Sequence, residues 1–257
     1  YMPYTYKIKV DLYNVFWPKM IVRLYYKEKL DGVGQFIELD EKQSHYLHNV
    51  LRLDIGSTFF VFDGKSGEYE AEIVGAKKKS VTVKLFKKTK ELGKTPDIWL
   101  LFAPLKKDKT DMVIQKATEL GVSRIIPVQT AYTNSEKVRL ERLEIQAIEA
   151  AEQCRRVEIP QVAQVAALDK ILENWDSQRT LFFLDEKGNG KNIAEVMKNS
   201  PKAAIIVGPE GGFSSEEAKK IQTYSFVRSI SLGQRILRAE TAAIASLSCW
   251  QAINGDW

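Results

Sequence analysis

From residue 97 onward the chain alternates between short, almost unbroken apolar runs and helical patterns, and this rhythm narrows the possible folds more than any other feature. Segments 98–103, 180–184, 203–207 and 227–232 have the composition of strands, as does 124–128. A strand buried on both faces loses polar alternation and reads as a continuous apolar run, which is the signature of a parallel sheet. The intervening segments have helical spacing. Over 108–120, Val113, Ala117 and Leu120 share a face, with Gly121 placed to end the helix. Over 135–154, Leu140, Leu143, Ala147, Ala151 and Cys154 recur at helical intervals. A helix over 214–224 opens with Ser214 and Glu217 at capping-box spacing, and a last helix covers 239–253. Strand and helix in alternation predict an α/β fold, a parallel sheet covered on both faces.

The preceding part of the chain has a different texture. Residues 20–90 read as mostly strand: 58–62 is β-rich, turn signals at Asp63-Gly64 and Ser66-Gly67 precede 68–74, and 79–85 alternates with Val81, Val83 and Leu85 on one face. Several short strands joined by turns predict a small barrel. A short helix is expected over 44–51, capped by Ser44. Gly93-Lys94-Thr95-Pro96 breaks the pattern and marks a linker. Residues 1–19 are dense in Tyr, Trp and Phe without a period, and are expected to be an extension upstream of a natural start at Met20.

Composition excludes several classes. With 44% hydrophobic and 28% charged residues the chain can bury a core, which excludes a disordered or collagen-like protein. No apolar run approaches the roughly 20 residues of a membrane helix, so no membrane partner is expected. The first residues lack the ordered features of a secretory leader. Two cysteines, Cys154 and Cys249, exclude a disulfide scaffold and suit a reducing, cytoplasmic setting. Both fall on helical segments and are expected in the core. His45 and His48 stand three apart without further ligands at metal spacing, so no metal is expected.

Charge is concentrated. The net charge is +5, yet residues 77–109 alone hold eleven lysines against three acids. Such a block attracts a phosphate backbone independently of sequence. Two later segments carry the chemistry. Val207-Gly208-Pro209-Glu210-Gly211-Gly212-Phe213-Ser214 runs from an apolar strand through a glycine-rich turn into a capped helix, where backbone N–H groups can approach a ligand closely. No Gly-Lys-Ser/Thr follows, so it is not a phosphate-binding P-loop, and the spacing is wrong for a dinucleotide fingerprint. Ser231-Leu232-Gly233-Gln234-Arg235-Ile236-Leu237-Arg238-Ala239-Glu240-Thr241-Ala242 again leaves a strand through glycine and places two arginines before a helix. Open α/β sheets bind ligands at such carboxyl ends of strands.

In this order the two segments resemble the RsmE family, SPOUT-class methyltransferases that make N3-methyluridine in bacterial 16S ribosomal RNA. The resemblance extends to Gln115-Lys116-Ala117-Thr118-Glu119-Leu120-Gly121-Val122, to Ala150-Ala151-Glu152-Gln153-Cys154-Arg155-Arg156, and to Phe62-Asp63-Gly64 and His48-x-x-Leu51-Arg52. It covers Met20 to the end of the chain. It implies a PUA-like RNA-binding barrel over 20–92 and a SPOUT methyltransferase domain over 97–257, with a deep trefoil knot at about 180–250 in a homodimer. It also implies S-adenosylmethionine as cofactor, held by Leu184, Gly208, Pro209, Glu210, Gly211, Gly212, Leu232, Gly233, Ile236, Leu237 and Thr241. One departure stands out. Where the family usually carries Ser/Thr-Glu-Arg-Ser, this chain reads Thr130-Ala131-Tyr132-Thr133-Asn134, so the usual arginine is missing, and Arg139 or Arg155 is the expected substitute.

Methylating a uridine ring nitrogen requires loss of the N3 proton, so the site must accept that proton or stabilise the anion. Arg235 and Arg238 suit the anion, and Glu240 or Glu210 the proton. RNA contacts are expected from Lys77, Lys78, Lys79, Lys106, Lys107, Arg155 and Arg156, with 16S rRNA or the small subunit as partner. The competing readings are ribose 2′-O-methylation on the same fold and a non-catalytic ribosome-assembly factor.

Overall fold

The computed structural model describes residues 22–77, 80–133, 138–185 and 190–257. The expected extension over 1–19 and the expected start at Met20 lie outside the described residues. The chain divides into two compact units between Glu91 and Leu92. Residues 91–97 have no regular structure, and they include the Gly93–Pro96 stretch.

In the first unit β1 (Arg23–Tyr25), β2 (Phe36–Glu38), β3 (Thr58–Phe62), β4 (Glu68–Lys77) and β5 (Ser80–Lys90) pair in the order β1-β3-β4-β5-β2. β1 runs parallel to β3 and the other pairs are antiparallel. Among the described residues the ladder of pairings does not close, since it ends at β1 and β2. Leu24 and Ile37 from these end strands nevertheless share one core with Phe59, Val61, Ile73, Val81, Val83 and Leu85. Register shifts along β4–β5, between Glu68 and Tyr69, Glu70 and Ala71, and Ile73 and Gly75, bend this long pair around that core.

The helix of this unit differs from the sequence expectation. α1 (Glu41–His45) starts earlier, and its cap is Asp40, whose carboxylate accepts a bond from the Gln43 N–H at 2.8 Å. A single π-helical turn, Tyr46–Val50, follows. Leu39 packs in the core, and the exposed Asp40 that follows it keeps extended backbone and takes the cap. Ser44 is buried inside the helix. Its hydroxyl donates to the Leu39 carbonyl at 3.2 Å and accepts from the Val81 N–H at 3.0 Å, which ties α1 to β5.

Asp63, buried after β3, accepts from the backbone N–H groups of Leu30 (2.9 Å), Lys65 (2.8 Å) and Ser66 (2.6 Å). Burial pushes its carboxyl up, but these hydrogen bonds outweigh burial and hold it below the usual aspartate range.

The second unit contains β6 (Ile98–Phe102), α2 (Lys107–Glu119), β7 (Arg124–Gln129), α3 (Leu140–Cys154), β8 (Gln161–Val162), β9 (Ala166–Ala167) and α4 (Leu168–Glu173). It continues through β10 (Thr180–Leu184), β11 (Lys191–Asn192), α5 (Ile193–Val196), β12 (Ala203–Val207), α6 (Ser215–Thr223), β13 (Val227–Ser231) and α7 (Ala239–Asn254). The strands form one sheet in the order β11-β13-β10-β12-β6-β7-β8, with β9 pairing on β7, and every pairing is parallel. All of β12 is buried, as its unbroken apolar run predicts. α3 begins at Leu140, five residues later than the pattern suggested; Ser135 lies outside the described residues. Pro127 sits within β7, where its missing N–H would normally break a ladder. Its outer edge faces the gap between β8, which pairs at Arg124 and Ile125, and β9, which pairs at Val128 and Gln129.

Arg179 holds the amino ends of the strands together. Its guanidinium donates to the carbonyls of Asp97 and Ala203, each at 3.0 Å, and to the Asp97 carboxylate at 2.9 Å. It also lies 3.7 Å from the centre of the Trp99 ring, with Arg124 at 4.7 Å from the same ring. Trp99 continues into an aromatic chain through Trp175 and Phe226 to Tyr224.

Among the described residues no helix is long and apolar enough to cross a membrane, and no cluster of His, Cys, Asp or Glu is arranged to hold a metal. The two thiols part company. Cys249 packs against the core, whereas Cys154, expected there, is exposed. It is the last residue of α3, and Arg155 then turns left-handed with φ 61°, so this end projects past the face that Leu143, Ala147 and Ala151 cover.

Two stability predictions follow from these contacts. Replacing Arg179 with Ala should destabilise the second unit by about 3 kcal/mol in urea unfolding, since it removes the bonds to the Asp97 and Ala203 carbonyls and the ion pair to the Asp97 carboxylate together. A carboxyl held low in the folded state stabilises fully above its unfolded pKa, and that stability is lost as pH falls through the lower folded value. Acid titration of the first unit should therefore show a loss beginning below about pH 4 that is reduced in Asp63→Asn.

Candidate active site

β10, β12 and β13 are neighbours and parallel, so their carboxyl ends emerge side by side. There a cleft of about 600 Å³ opens, within the roughly 300–1,000 Å³ of small-molecule sites. Leu184 and Asp185 line it from β10, and Val207, Ile230 and Ala242 add apolar surface.

One wall is the turn after β12. The Gly212 N–H donates to the Pro209 carbonyl at 2.9 Å, and Gly212 adopts φ 70°, where a side chain would be strained. Gly208 has no room for a side chain: a Cβ would lie 2.9 Å from the Phe213 ring, which packs on Phe183 with centroids 5.4 Å apart. The turn ends in α6, capped as the sequence predicts. Ser214 Oγ accepts from the Glu217 N–H at 3.1 Å, and Glu217 Oε2 accepts from the Ser214 N–H at 2.9 Å. Glu217 Oε1 also accepts from the Ala131 N–H at 2.7 Å, which ties the loop after β7 to the same helix start. In that loop, hydroxyls of Thr130 and Thr133 lie 2.8 Å apart, and Tyr132, 52% exposed, lies over Gly211. The arginine-free segment thus borders the turn; Asn134 lies outside the described residues.

The other wall is the loop 232–238 between β13 and α7. Gly233 adopts φ 102° and donates its N–H to Ser231 Oγ at 3.2 Å. Arg235, Ile236 and Arg238 are exposed, Ile236 at 86%, and Arg238 is the N-cap residue of α7.

The cleft brings together Leu184, Gly208, Pro209, Glu210, Gly212, Leu232, Gly233, Ile236 and Leu237 of the expected cofactor residues, together with Arg235 and Arg238. It does not bring in Gly211, Glu240 or Thr241. Gly211 faces Tyr132, Thr241 is exposed on α7, and Glu240 turns toward α2, where its Oε1 lies 3.9 Å from Lys109 Nζ. Asp185, Phe213, Gln234 and Lys109 were not singled out from the sequence. Asp185 had the clearest signal, an acid directly after an apolar strand.

The expected RNA residues are divided between the units. Lys77 is exposed at the end of β4, while Lys78 and Lys79 lie outside the described residues. Lys106 and Lys107 are exposed where α2 begins, and Arg155 is exposed after α3. Arg156 donates to the Thr118 carbonyl at 3.0 Å and borders a second cavity of about 370 Å³. Burial draws its guanidinium below the usual arginine range.

Comparison with known proteins places this geometry. The RNA methyltransferase domain family matches residues 93–251, and the RNA methyltransferase PUA domain family matches 39–86. Ribosomal RNA small subunit methyltransferase E of Rickettsia conorii is 33% identical over 88% of this chain and 93% of its own. The chain belongs to the RsmE family. Two solved structures have the same architecture. An RsmE from Neisseria gonorrhoeae bound to S-adenosylmethionine superposes with TM-score 0.82 and 27% identity, covering 90% of this chain and 97% of that one. A Legionella pneumophila chain, described as a methyltransferase in complex with the cofactor, gives TM-score 0.83 and 32% identity over the same shares. The fold is that of an RsmE protein, with a PUA domain ahead of a SPOUT-type parallel sheet.

The glycine turn is testable by itself. Gly208→Ala should displace Phe213 from Phe183 and cost about 1–3 kcal/mol in urea unfolding, as overpacking does.

Proposed function

We propose that this RsmE protein transfers a methyl group from S-adenosylmethionine to small-subunit ribosomal RNA, at N3 of a uridine in the decoding region of 16S rRNA. The observation that carries the reading is the cleft itself, a glycine turn forming one wall and a two-arginine loop the other. The fit to the cofactor rests on three features of that cleft. Its volume suits a small molecule, Gly208 and Gly212 bring backbone close to the space, and Asp185 and Glu210 supply acids for a cationic ligand. Leu184, Pro209, Leu232, Gly233, Ile236 and Leu237 would complete its surroundings. When bound, the cofactor supplies an electrophilic methyl group on a sulfonium.

The chain's own residues do the rest. Arg235 and Arg238 stabilise the negative charge that develops on the uracil as its N3 proton leaves, because arginine keeps its charge and donates in a fixed plane. Of the two glutamates considered for the proton, Glu210 lines the cleft, whereas Glu240 is directed at Lys109. We therefore assign proton acceptance to Glu210. Lys77, Lys106, Lys107 and Arg155 are exposed cations suited to an RNA backbone. The first unit, within the expected 20–92, would position the RNA, and the second, within 97–257, would perform the chemistry. A homodimer, a knot at about 180–250 and a cytoplasmic site of action belong to the same reading.

The test is methyl transfer from labelled S-adenosylmethionine to small subunits that lack the modification, followed by nucleoside mass spectrometry. N3-methyluridine is the expected product; a ribose-methylated nucleoside, or no transfer by a protein that still binds RNA, would replace this reading with a competing one. Arg238→Ala should lower the transfer rate about 100-fold to 1,000-fold, as loss of an oxyanion donor does, with cofactor binding retained in calorimetry.

A further inference from the structure

Lys109, in the first turn of α2, reaches two acids that belong to opposite walls of the cleft. Its Nζ lies 3.3 Å from Oε1 of Glu210, in the turn after β12, and 3.9 Å from Oε1 of Glu240, in the first turn of α7. The contact with Glu210 crosses 101 positions of sequence. The two acids are in unlike surroundings. Glu210 is 45% exposed, whereas Glu240 is 12% exposed, and its Oε2 is buried with no hydrogen-bond partner among the described residues. A carboxylate this enclosed requires a counter-charge, and Lys109 is the cation beside it. An ammonium donates and has no lone pair to accept a proton, so Lys109 is not the acceptor for the uridine proton. Lys109 and Glu240 both stand outside the lining of the cleft, while Glu210 stands within it.

We propose that Lys109 is a positioning residue: one ammonium holds the glycine turn through Glu210 and the start of α7 through Glu240, and so sets the distance between the two walls before any ligand arrives. The inference rests on the cofactor reading above. Pre-organisation of this kind reduces the ordering cost of binding, so its loss appears in affinity. The turn carrying Pro209, Glu210 and Gly212 is anchored at its far end by the Ser214–Glu217 cap. Lys109 supplies the anchor at its apex. Glu240 serves as the fixed base of the clasp, since burial leaves its carboxylate little freedom to move away.

The experiment is calorimetric titration of full-length protein with S-adenosylmethionine, together with steady-state methylation of small subunits. Lys109→Met should weaken cofactor binding about fivefold, the scale of a partly exposed ion-pair network. The loss should appear in KM for the cofactor, with kcat unchanged within about twofold. Lys109→Arg, which keeps the charge, should restore most of the affinity. Lys109→Met/Glu240→Gln should bind no more weakly than the poorer single variant, because both remove the same contact. Should Lys109→Met not fold, Glu240→Gln, outside the lining of the cleft, still tests the link, with the same loss expected. Wild-type affinity in these variants, a fall in kcat alone, or losses that multiply in the double variant would each overturn the clasp. If the wild-type protein does not bind S-adenosylmethionine, the cofactor reading itself fails, which is a separate result from failure of the clasp.

Discussion

Parallel pairing of β10, β12 and β13 is the constraint from which the site follows. Antiparallel neighbours would send alternate strand ends to opposite edges. Here the glycine turn, the arginine loop and the end of β10 must all emerge at one edge, so strand direction brings the three segments together and Lys109 has only their spacing to set. The apolar character of these strands makes the arrangement stable, because a fully buried β12 leaves no polar face on which another sheet order could settle.

The two edges of the sheet are held by different means. At the amino edge a single guanidinium satisfies the backbone of two strands and lies on Trp99. At the carboxyl edge an acid joins two segments: Glu217 caps α6 and holds the loop after β7, and Asp63 does comparable work in the first unit, where it joins Leu30 to the β3–β4 turn. A carboxylate with two oxygens can join two chain segments, which explains why acids rather than hydroxyls occupy these junctions.

Much of this was legible in the residues, and the failures have physical causes. β12, β10 and β6 could be read because a run buried on both faces has an unmistakable composition, and the Ser214–Glu217 cap because both partners lie within one turn. β2, β8, β9 and β11 are two or three residues long, too short for any period to show. Ser44 was misplaced because serine and aspartate both cap helices, and only the fold, which spends the Ser44 hydroxyl on Leu39 and Val81, decides for Asp40. Glu240 was placed with Arg238 because the two are close in sequence, but Arg238 is the extended N-cap residue and Glu240 lies within the first turn of α7, beside Lys109. Lys109 gave no local signal, because its partners lie more than a hundred positions away.

The aromatic chain from Trp99 through Trp175 to Phe226 lies at the amino ends of the strands, opposite the cleft. Trp250 is buried in the core of the same unit, and among the described residues the first unit contains no tryptophan. Indole emission from Trp99, Trp175 and Trp250 is therefore an optical record of the second unit's packing, with Trp257, 68% exposed at the end of the chain, adding a solvent-facing component. The Trp99–Trp175 pair reports from the edge of the sheet away from the site, and the unfolding of the PUA unit is left to be followed through tyrosine or the far-ultraviolet signal.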